Sequence, residues 1–351
     1  METDTQRSQN KFAPDPARPL EMLQNCPVYK ASPLHRLSSD VGTVLVKDER
    51  QRMGLGAFKG LGGVYAVGTL ILQQWQRQYG EALAPAELTS DSAQDFASGL
   101  TFVCASAGNH GLAVAAGAQL FGAKARVHLP ESAPVEYVRR LANKGASVVR
   151  SGLHYEASMA AAIVDAEETS AILLADSSWA GYCEIPCVVM EGYTVIAEEL
   201  RLSFEQDGLW PTHVFLQAGV GGLAAAMVYM IRANWLYQPT IIIVEPDAAP
   251  CLQQSSAEGR IVTSKGPIST MGRLDCKVPS QIAFAVLEAS DVQYCQVSDH
   301  AARDAVEALE VSGYPTTPSG AAGYAGLLRW HRENHDGPDL QPLIILSEAA
   351  L

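Results

Sequence analysis

One lysine in this sequence has neighbours that could make it chemically reactive. Lys59 follows Phe58 and lies in the glycine-rich segment from Lys47 to Gly63. If a strand enters this segment and a helix leaves it, the lysine side chain lies at the rim of a cleft. The helix dipole disfavours an ammonium at a helix N-terminus, so we predict a lowered pKa and a lysine suited to Schiff-base chemistry. An ordinary solvated lysine is the competing interpretation, and this segment alone does not decide between the two.

A turn of small and polar residues follows an apolar stretch that we predict as a strand, residues 100–105. The turn consists of Ser106, Ala107, Gly108, Asn109 and His110. Backbone amides at the start of the next helix can bind an anion, Asn109 offers an amide donor and acceptor, and His110 could titrate. The same turn could also do no more than cap the helix.

A glycine-rich turn lies between a predicted strand at 213–217 and a predicted helix at 222–234. It consists of Gly219, Val220, Gly221, Gly222 and Leu223. Such a turn lets the backbone approach a phosphate closely. With Glu245 at the end of the next strand, it also fits the dinucleotide fingerprint weakly. From this turn alone, both a mononucleotide-like phosphate and a nicotinamide dinucleotide remain open.

Two single residues at predicted strand ends are further candidates. Asp176 ends the strand predicted at 171–175 and lies close to Trp179, so its pKa could be raised and it could transfer protons. It could equally cap a turn. Ser347 follows the last predicted strand, 343–346, and its neutral hydroxyl could face a ring nitrogen, although a serine at a strand end needs no ligand.

The elements that must position these residues alternate along the chain. This alternation predicts an α/β protein with parallel sheets, helices on both sheet faces and ligands at the carboxyl ends of the strands. Segment 20–40 is predicted as a loop with short helical turns and 255–290 as irregular. Strands are predicted at 41–46, 100–105, 125–129, 147–150, 171–175, 213–217, 240–244 and 343–346, and helices at 63–78, 110–121, 135–143, 155–168, 187–200, 222–234, 300–309 and 319–332.

Size and composition limit the class of protein. The chain has 351 residues, enough for two domains, and a net charge of −13, which argues against nucleic acid or an anionic membrane as the main partner. No apolar run reaches the length of a membrane span. The seven cysteines are scattered, odd in number and without a C-x-x-C pair, which favours reduced thiols in a cytoplasmic compartment and gives no metal set.

Together these segments resemble the pyridoxal-phosphate enzymes of the tryptophan synthase β superfamily, which have fold type II. The order is the same: lysine first, then the Ser-Ala-Gly-Asn-His turn, the glycine turn and a serine on the last strand. Within that superfamily the sequence is most similar to the diaminopropionate ammonia-lyase family, over roughly residues 33–348. The segments that carry the similarity are Lys47-Asp48-Glu49, Phe58-Lys59-x-Leu61-Gly62-Gly63-x-Tyr65-Ala66, Asp176-x-x-Trp179-x-Gly181-Tyr182 with Ile185-Pro186, Gln217-Ala218-Gly219-Val220-Gly221 and Val244-Glu245-Pro246-Asp247.

The resemblance implies pyridoxal 5'-phosphate as the cofactor and a role for each candidate. Lys59 would attach the cofactor covalently, with Phe58 beside it. Asn109 would hydrogen-bond the cofactor's phenolic oxygen, residues 219–223 would hold its phosphate, and Ser347 would meet its pyridine nitrogen.

The resemblance also implies how substrate is bound and how the chain is divided. Residues 106–110 would bind the substrate carboxylate, and Asp176 would act as base toward an L-amino acid. A larger cofactor-binding domain would comprise 20–90 and 185–351, and a smaller mobile domain 91–184. Residues 1–19 are predicted to be a flexible leader. The family resemblance is the basis for expecting a homodimer.

The implied reaction is β-elimination from a β-substituted L-amino acid, giving a 2-oxo acid and ammonia through an aminoacrylate. Alternatives are a β-replacement synthase, a dehydratase of a β-hydroxy amino acid, a non-catalytic cofactor-binding relative and a nicotinamide-dependent dehydrogenase. Several positions depart from the family. Ala107 replaces the aspartate that serves D-substrates, Ala180 replaces a glutamate, and Ala349, Ala350 and Leu351 replace a Gly-Asp run. We therefore expect weak or no action on D-isomers, and a changed leaving group becomes plausible. Arg273, Asp275 and Lys277 stand where smaller residues are expected near the cleft.

Overall fold

The computed structural model describes residues 12–106, 108–334 and 340–350. Within these ranges, strands and helices alternate along most of the chain. The strands are β1 Leu34–Ser39, β2 Gly42–Asp48, β3 Thr101–Ala105, β4 Lys124–Leu129, β5 Ser147–Arg150, β6 Ile172–Leu173, β7 His213–Gln217, β8 Thr240–Pro246, β9 Gln293–Val297 and β10 Pro342–Leu346. The helices are α1 Ala17–Gln24, α2 Lys59–Tyr79, α3 Asp91–Ala97, α4 Asn109–Phe121, α5 Val135–Ala142, α6 Tyr155–Thr169, α7 Glu184–Asp207, α8 Gly222–Asn234, α9 Cys251–Glu258, α10 Gln281–Glu288, α11 Asp299–Val311 and α12 Pro318–Asn334, with short 3₁₀ turns at Arg52–Gly54 and Pro85–Glu87.

The larger sheet has six strands in the order β1-β2-β10-β7-β8-β9. All of its neighbouring strands run parallel except the edge pair β1 and β2. β10 lies between β2 and β7, with Leu343 paired to Leu45 on one side and to Val214 on the other. The carboxyl ends of these three strands therefore meet at one edge, where the turns carrying Lys59, Ser347 and Gly219 begin.

The smaller sheet has four parallel strands in the order β5-β4-β3-β6. β3 leads directly into the turn at 106–110, and β6 leads to Asp176. The strands of the smaller sheet fall within the range predicted for the smaller domain, and those of the larger sheet fall outside it. The boundaries and mobility of the two domains stay predictions.

Helix α2 packs between α4 and α7 because two of its glycines leave no side chain in the way. A methyl group added at Gly62 would lie 2.4 Å from the Tyr193 ring, and one added at Gly63 would lie 2.5 Å from the Cβ of Ala113. Both distances are far below van der Waals contact, so only glycine fits. This packing fixes the first turn of α2, and with it the position of Lys59.

The fold class predicted from the sequence is confirmed, since the described sheets are mostly parallel and helices alternate with their strands. Three local predictions are wrong. Segment 20–40 contains β1, an edge strand in which only Leu37 is buried, so its pattern was too polar to predict a strand. The strand β9 was missed for the same reason, since only Cys295 and Val297 of its five residues are buried. The segment predicted as irregular contains α10.

Part of the segment predicted as a flexible leader, residues 1–19, contacts the rest of the protein. Phe12 is buried and its ring lies 5.4 Å from that of Tyr229, and Pro19 is buried in α1. Residues 12–19 therefore pack on the protein, while 1–11 lie outside the described residues. Among the helices that are described, none combines the length and the apolar character needed to cross a membrane.

Candidate active site

The amine of Lys59 forms an ion pair with the carboxylate of Asp176. Lys59 is the first residue of α2, and Asp176 follows the last strand of the smaller sheet, so the pair joins the two sheets' carboxyl ends. Nζ of Lys59 donates a hydrogen bond to Oδ2 of Asp176. The two side chains are mostly buried, with 23% and 18% of their surface exposed. The structure thus brings together the two residues that the sequence singled out as catalytic.

This pairing reverses both pKa predictions. Burial lowers the pKa of Lys59, but the Asp176 carboxylate, with smaller contributions from Tyr193 and Cys276, raises it above the ordinary lysine value. Burial raises the pKa of Asp176, but the Lys59 ammonium together with His110 holds this pKa well below its usual range. The predicted lowered pKa of Lys59 and raised pKa of Asp176 are therefore wrong for this state. Each group stabilises the charged form of the other.

Two aromatic rings form a wall beside the amine. Nζ of Lys59 lies 5.3 Å from the Phe58 ring centroid and 5.8 Å from that of Tyr193. The Tyr193 hydroxyl is buried and has no hydrogen-bond partner among the described residues. The same ring lies 3.8 Å from a methyl group added at Gly222, so Lys59 and the glycine turn face one pocket. Sequence reasoning missed Tyr193, which looked like any apolar residue of a long helix.

The glycine turn offers backbone and no side chain to that pocket. Gly221 has φ +97°, a left-handed conformation that glycine adopts without strain, and α8 begins at the next residue. A methyl group at Gly219 would lie 3.0 Å from both the carbonyl oxygen of Arg273 and Sγ of Cys276. The unpaired amides at the start of α8 therefore remain open to an anion, and the turn fits the phosphate of pyridoxal phosphate.

Two serines connect the glycine turn to the segment after Asp176. The hydroxyls of Ser178 and Ser280 lie 2.7 Å apart. The amide of Ser280 also donates to the Val220 carbonyl at 2.9 Å. Buried hydrogen bonds thus fix the position of Asp176, the acidic partner of Lys59, relative to the glycine turn.

Glu245, the acid of the weak dinucleotide fingerprint, is occupied elsewhere. It is buried, and its two oxygens accept hydrogen bonds from the amides of Leu252 and Gln253, each at 2.8 Å, at the start of α9. Burial raises the pKa of this carboxyl to about 7, although the amides act in the opposite direction. A ribose hydroxyl therefore has no free carboxylate to bind, and the dinucleotide interpretation loses its key residue.

Asn109 is held by an acid that sequence reasoning did not single out. Its Nδ2 donates to Oε2 of Glu348, and the hydroxyl of Thr317 donates to Oε1. Glu348 follows Ser347 directly after β10, so its position at the end of the last strand was the available signal. Ser347 itself is buried, and its hydroxyl makes no hydrogen bond to any described residue. That hydroxyl is free to pair with a ligand atom, as a pyridine nitrogen would require.

The small-residue turn lies next to the ion pair. The Gly108 amide donates to Oγ of Ser106 at 3.2 Å. His110 is buried, with Nε2 2.8 Å from the Leu174 carbonyl and Nδ1 4.0 Å from Oδ2 of Asp176. Burial, aided by Lys59, lowers the pKa of His110 although Asp176 acts against it, so the ring is neutral at pH 7 and donates to the carbonyl. Ala107 lies outside the described residues, and binding of a substrate carboxylate here stays a prediction.

Known proteins with similar sequence and structure point to one family. The family described as pyridoxal-phosphate dependent enzyme matches residues 25–348. The diaminopropionate ammonia-lyase of Escherichia coli (strain K12) is 32% identical over 308 residues, 85% of this chain and 76% of that protein. The protein of the same name from Salmonella typhimurium is 33% identical over 324 residues, 88% of this chain and 79% of that protein.

A solved structure extends the similarity to the fold. The crystal structure of the Escherichia coli diaminopropionate ammonia lyase, in complex with an aminoacrylate-PLP azomethine reaction intermediate, has a TM-score of 0.82 and 29% identity. The match covers 99% of this chain and 91% of that one. The expected fold type II architecture is therefore confirmed.

Proposed function

The chain belongs to the family of pyridoxal-phosphate dependent enzymes, and from that premise we propose that it is a carbon–nitrogen lyase that eliminates the β-substituent of an L-amino acid. The products are a 2-oxo acid and ammonia, as expected for an enzyme like diaminopropionate ammonia-lyase. The observation that carries the proposal is the Lys59–Asp176 pair in a pocket shared with the glycine turn. An amine, a carboxylate and a helix start with unpaired amides surround one volume, which supports roles in cofactor attachment, proton transfer and phosphate binding.

The residues of this pocket suit each part of pyridoxal phosphate. Lys59 would hold it covalently beside the Phe58 ring, and the amides at 219–223 would bind its phosphate. Asn109 would turn from Glu348 to the phenolic oxygen, and the unpaired hydroxyl of Ser347 would meet the pyridine nitrogen. When bound, the cofactor supplies an electron sink for negative charge at the substrate Cα.

The protein's own acid and base move the protons. Because the Asp176 carboxylate lies at the amine that substrate displaces, either it or Lys59 takes the Cα proton of an L-amino acid. Asp176 then donates this proton, taken up directly or passed on by Lys59 through their hydrogen bond, to the leaving group on Cβ, which departs with the bonding electron pair. A positioned acid of this kind contributes typically about 10²–10⁴-fold in rate. Water finally converts the unsaturated product to a 2-oxo acid and ammonia.

The departures from the family would narrow the range of substrates that the protein accepts. Ala107 has no carboxyl group, so the chain would lack a base on the face where a D-isomer presents its Cα proton. We therefore propose L-specificity. A dehydratase of a β-hydroxy amino acid uses the same groups and is the second candidate, since Ala180 and Ala349 would remove contacts to a β-amine.

The assembly and compartment are further parts of the proposal. A homodimer is expected from the family resemblance. The seven cysteines all lie in described segments and none forms a disulfide, which supports a reducing cytoplasm. Light scattering of the purified protein tests the dimer, and a monomer at micromolar concentration would refute it.

The experiment is a substrate panel on purified, cofactor-loaded protein. The panel contains the L- and D-forms of 2,3-diaminopropionate and serine, together with the anionic 3-hydroxy-L-aspartate and O-phospho-L-serine. Each is assayed for keto acid and ammonia, with two ammonia per keto acid expected from diaminopropionate and one from the others. Release from an L-form without a second substrate supports elimination. A requirement for an added nucleophile would show that the reaction is β-replacement and not elimination. Absence of turnover on every β-substituted amino acid of the panel, including the anionic ones, would overturn the catalytic proposal.

A further inference from the structure

Arg273 contacts two turns of the site: the glycine turn at 219–223, called the phosphate turn below, and the turn that contains Gly108, called the substrate turn. Its carbonyl oxygen lies against the phosphate turn, 3.0 Å from a methyl group added at Gly219. Its guanidinium lies flat against the substrate turn, with Nη1 3.1 Å from a methyl group added at Gly108. The Arg273 amide donates to Oγ of Ser319 at 3.1 Å, which fixes the backbone. The charged group is therefore held at the turn expected to bind the substrate carboxylate.

The guanidinium has more hydrogen-bonding capacity than its surroundings use. Its nearest acid is Glu348, at 3.7 Å from Nε to Oε2, too long for a hydrogen bond. That carboxylate already accepts from Asn109 and Thr317. The guanidinium makes no side-chain hydrogen bond within the described ranges and remains 30% exposed. Arginine presents its donors in a planar fork that matches carboxylate or phosphate, so an anion is the ligand it suits.

A cavity adjoins this position, and Asn109 forms part of its wall. It has a volume of about 540 Å³ and includes Asn109, Tyr137, Arg140 and Glu348 in its wall. The Cζ of Arg273 lies 5.6 Å from the centroid of the Tyr137 ring. Arg140 lies one helical turn after Tyr137 on α5, facing the same cavity, and forms no ion pair or side-chain hydrogen bond with any described residue.

The other charged groups of the wall leave the donors of both arginines unused. Arg50 is bound to Asp48 and to the Pro315 carbonyl. Glu136 is an exposed acid on α5, and Glu348 balances the charge of Arg273 at 3.7 Å while its oxygens accept from Asn109 and Thr317. The guanidinium donors of Arg273 and Arg140 are therefore not used by described side chains and can bind an anion.

We propose that Arg273 selects β-substituted L-amino acids that carry a second anionic group, a carboxylate or a phosphate, at Cβ. The inference rests on the proposed function and names its substrate class. The α-carboxylate would occupy the amides of Asn109 and His110 at the start of α4, and the second anion would reach the guanidinium beside Gly108, with Arg140 adding positive charge.

The chemistry balances for either anion. With a β-hydroxy, β-carboxylate substrate, the Cα–H and Cβ–O bonds break and the hydroxyl leaves with its electron pair, taking a proton to become water. Hydrolysis of the resulting enamine gives a 2-oxo dicarboxylate and ammonium. With a phosphate ester on Cβ, phosphate leaves instead and the keto acid is pyruvate.

Binding provides a test that does not depend on turnover. L-Aspartate carries the β-carboxylate without a leaving group, and L-alanine is its matched partner without the acid. We expect the cofactor-loaded protein to bind L-aspartate more tightly than L-alanine by about 10–10²-fold, as hydrogen bonds to charged groups imply. The Arg273→Gln variant should lose this preference, and Arg273→Lys should keep part of it. Arg260→Gln removes an exposed arginine from the same loop and should change nothing.

Turnover of 3-hydroxy-L-aspartate and O-phospho-L-serine, against L-serine and L-2,3-diaminopropionate, then identifies which anion reacts. The ratio of kcat/KM for the anionic to the neutral substrates should fall in Arg273→Gln by about 10²-fold. Equal binding of aspartate and alanine to the unaltered protein, or an equal loss on all substrates in the variant, would overturn the inference. Turnover of neutral substrates alone would overturn it and leave the proposed function standing. An arginine-dependent preference for aspartate without elimination of any substrate would support the role of Arg273 in binding and overturn the proposed function.

Discussion

The carboxylate of Asp176 accepts a hydrogen bond from the ammonium of Lys59, across the space between the two sheets. The two residues are 117 positions apart in the chain. Each holds the other in its charged form, so in this state the amine is protonated and cannot attack a carbonyl. If Lys59 attaches the cofactor, it must first lose a proton, and we predict that its partner Asp176 receives it.

Replacing the acid separates its catalytic role from cofactor binding. The Asp176→Asn variant should bind pyridoxal phosphate and lose about 10²–10⁴-fold in kcat/KM on an L-substrate, because the amide cannot transfer the proton. Steady-state kinetics on the cofactor-loaded variant measures this. Asp165→Asn is the matched control, since Asp165 pairs with Arg126 and His128 on the smaller sheet. A loss below tenfold would remove Asp176 from the proton path.

The same pair predicts how the stability of the cofactor-free protein depends on pH. Asp176 has a lowered folded pKa, so its contribution is present above the unfolded value of about 3.9 and is lost as the pH falls further. Lys59 has a raised folded pKa, so its contribution is present below the unfolded value of about 10.4 and is lost as the pH rises through the folded one. The unfolding free energy of the unaltered protein minus that of Asp176→Asn should therefore be level from about pH 5 to 9 and shrink below about pH 4.

Denaturant unfolding at fixed pH values measures that difference. A difference that grows on acidification would show that the carboxyl is protonated in the folded protein at neutral pH, contrary to the ion pair.

A buried ionic network before α2 should carry much of the local stability. Glu199 on α7 accepts from Nζ of Lys47 at 2.5 Å, from both Nη atoms of Arg52 at 2.8 Å and from the Tyr29 hydroxyl at 2.8 Å. The charged side chains are at most 5% exposed. Removing one partner leaves uncompensated buried charge, so Glu199→Ala should lower the unfolding free energy by about 3–5 kcal/mol.

Chemical denaturation of this variant has a control on the same helix. Glu205 is 46% exposed and pairs with Arg201 at the surface, so Glu205→Ala should change the unfolding free energy by less than about 1 kcal/mol. Equal effects of the two substitutions would mean that the network does not fix the segment before Lys59.

Much of the site was predictable because parallel strands end at a common edge. Lys59, Asp176, the glycine turn and Ser347 each follow a strand that the sequence indicates, and the topology brings these ends together. Family membership and the cofactor class were predicted from the same residues and are confirmed.

What the sequence did not indicate depends on contacts between distant segments. The sign of each pKa shift is set by the Lys59–Asp176 pair, and a helix dipole or burial considered alone gives the opposite sign. Tyr193 lies in the interior of a long helix, and only packing against Gly62 brings its ring to the site. The edge strands β1 and β9 bury few side chains, so their sequences lack the apolar pattern of a strand.

Reductive trapping of the cofactor on the protein tests the central claim most directly. The protein loaded with pyridoxal phosphate is treated with borohydride, digested, and searched by mass spectrometry for the lysine that carries the reduced cofactor. We predict a single modified residue, Lys59, and no modified peptide in Lys59→Ala, while the exposed Lys124→Ala control is labelled like the unaltered protein. Label on another lysine, or undiminished label in Lys59→Ala, would contradict the assignment of this pocket as the cofactor site.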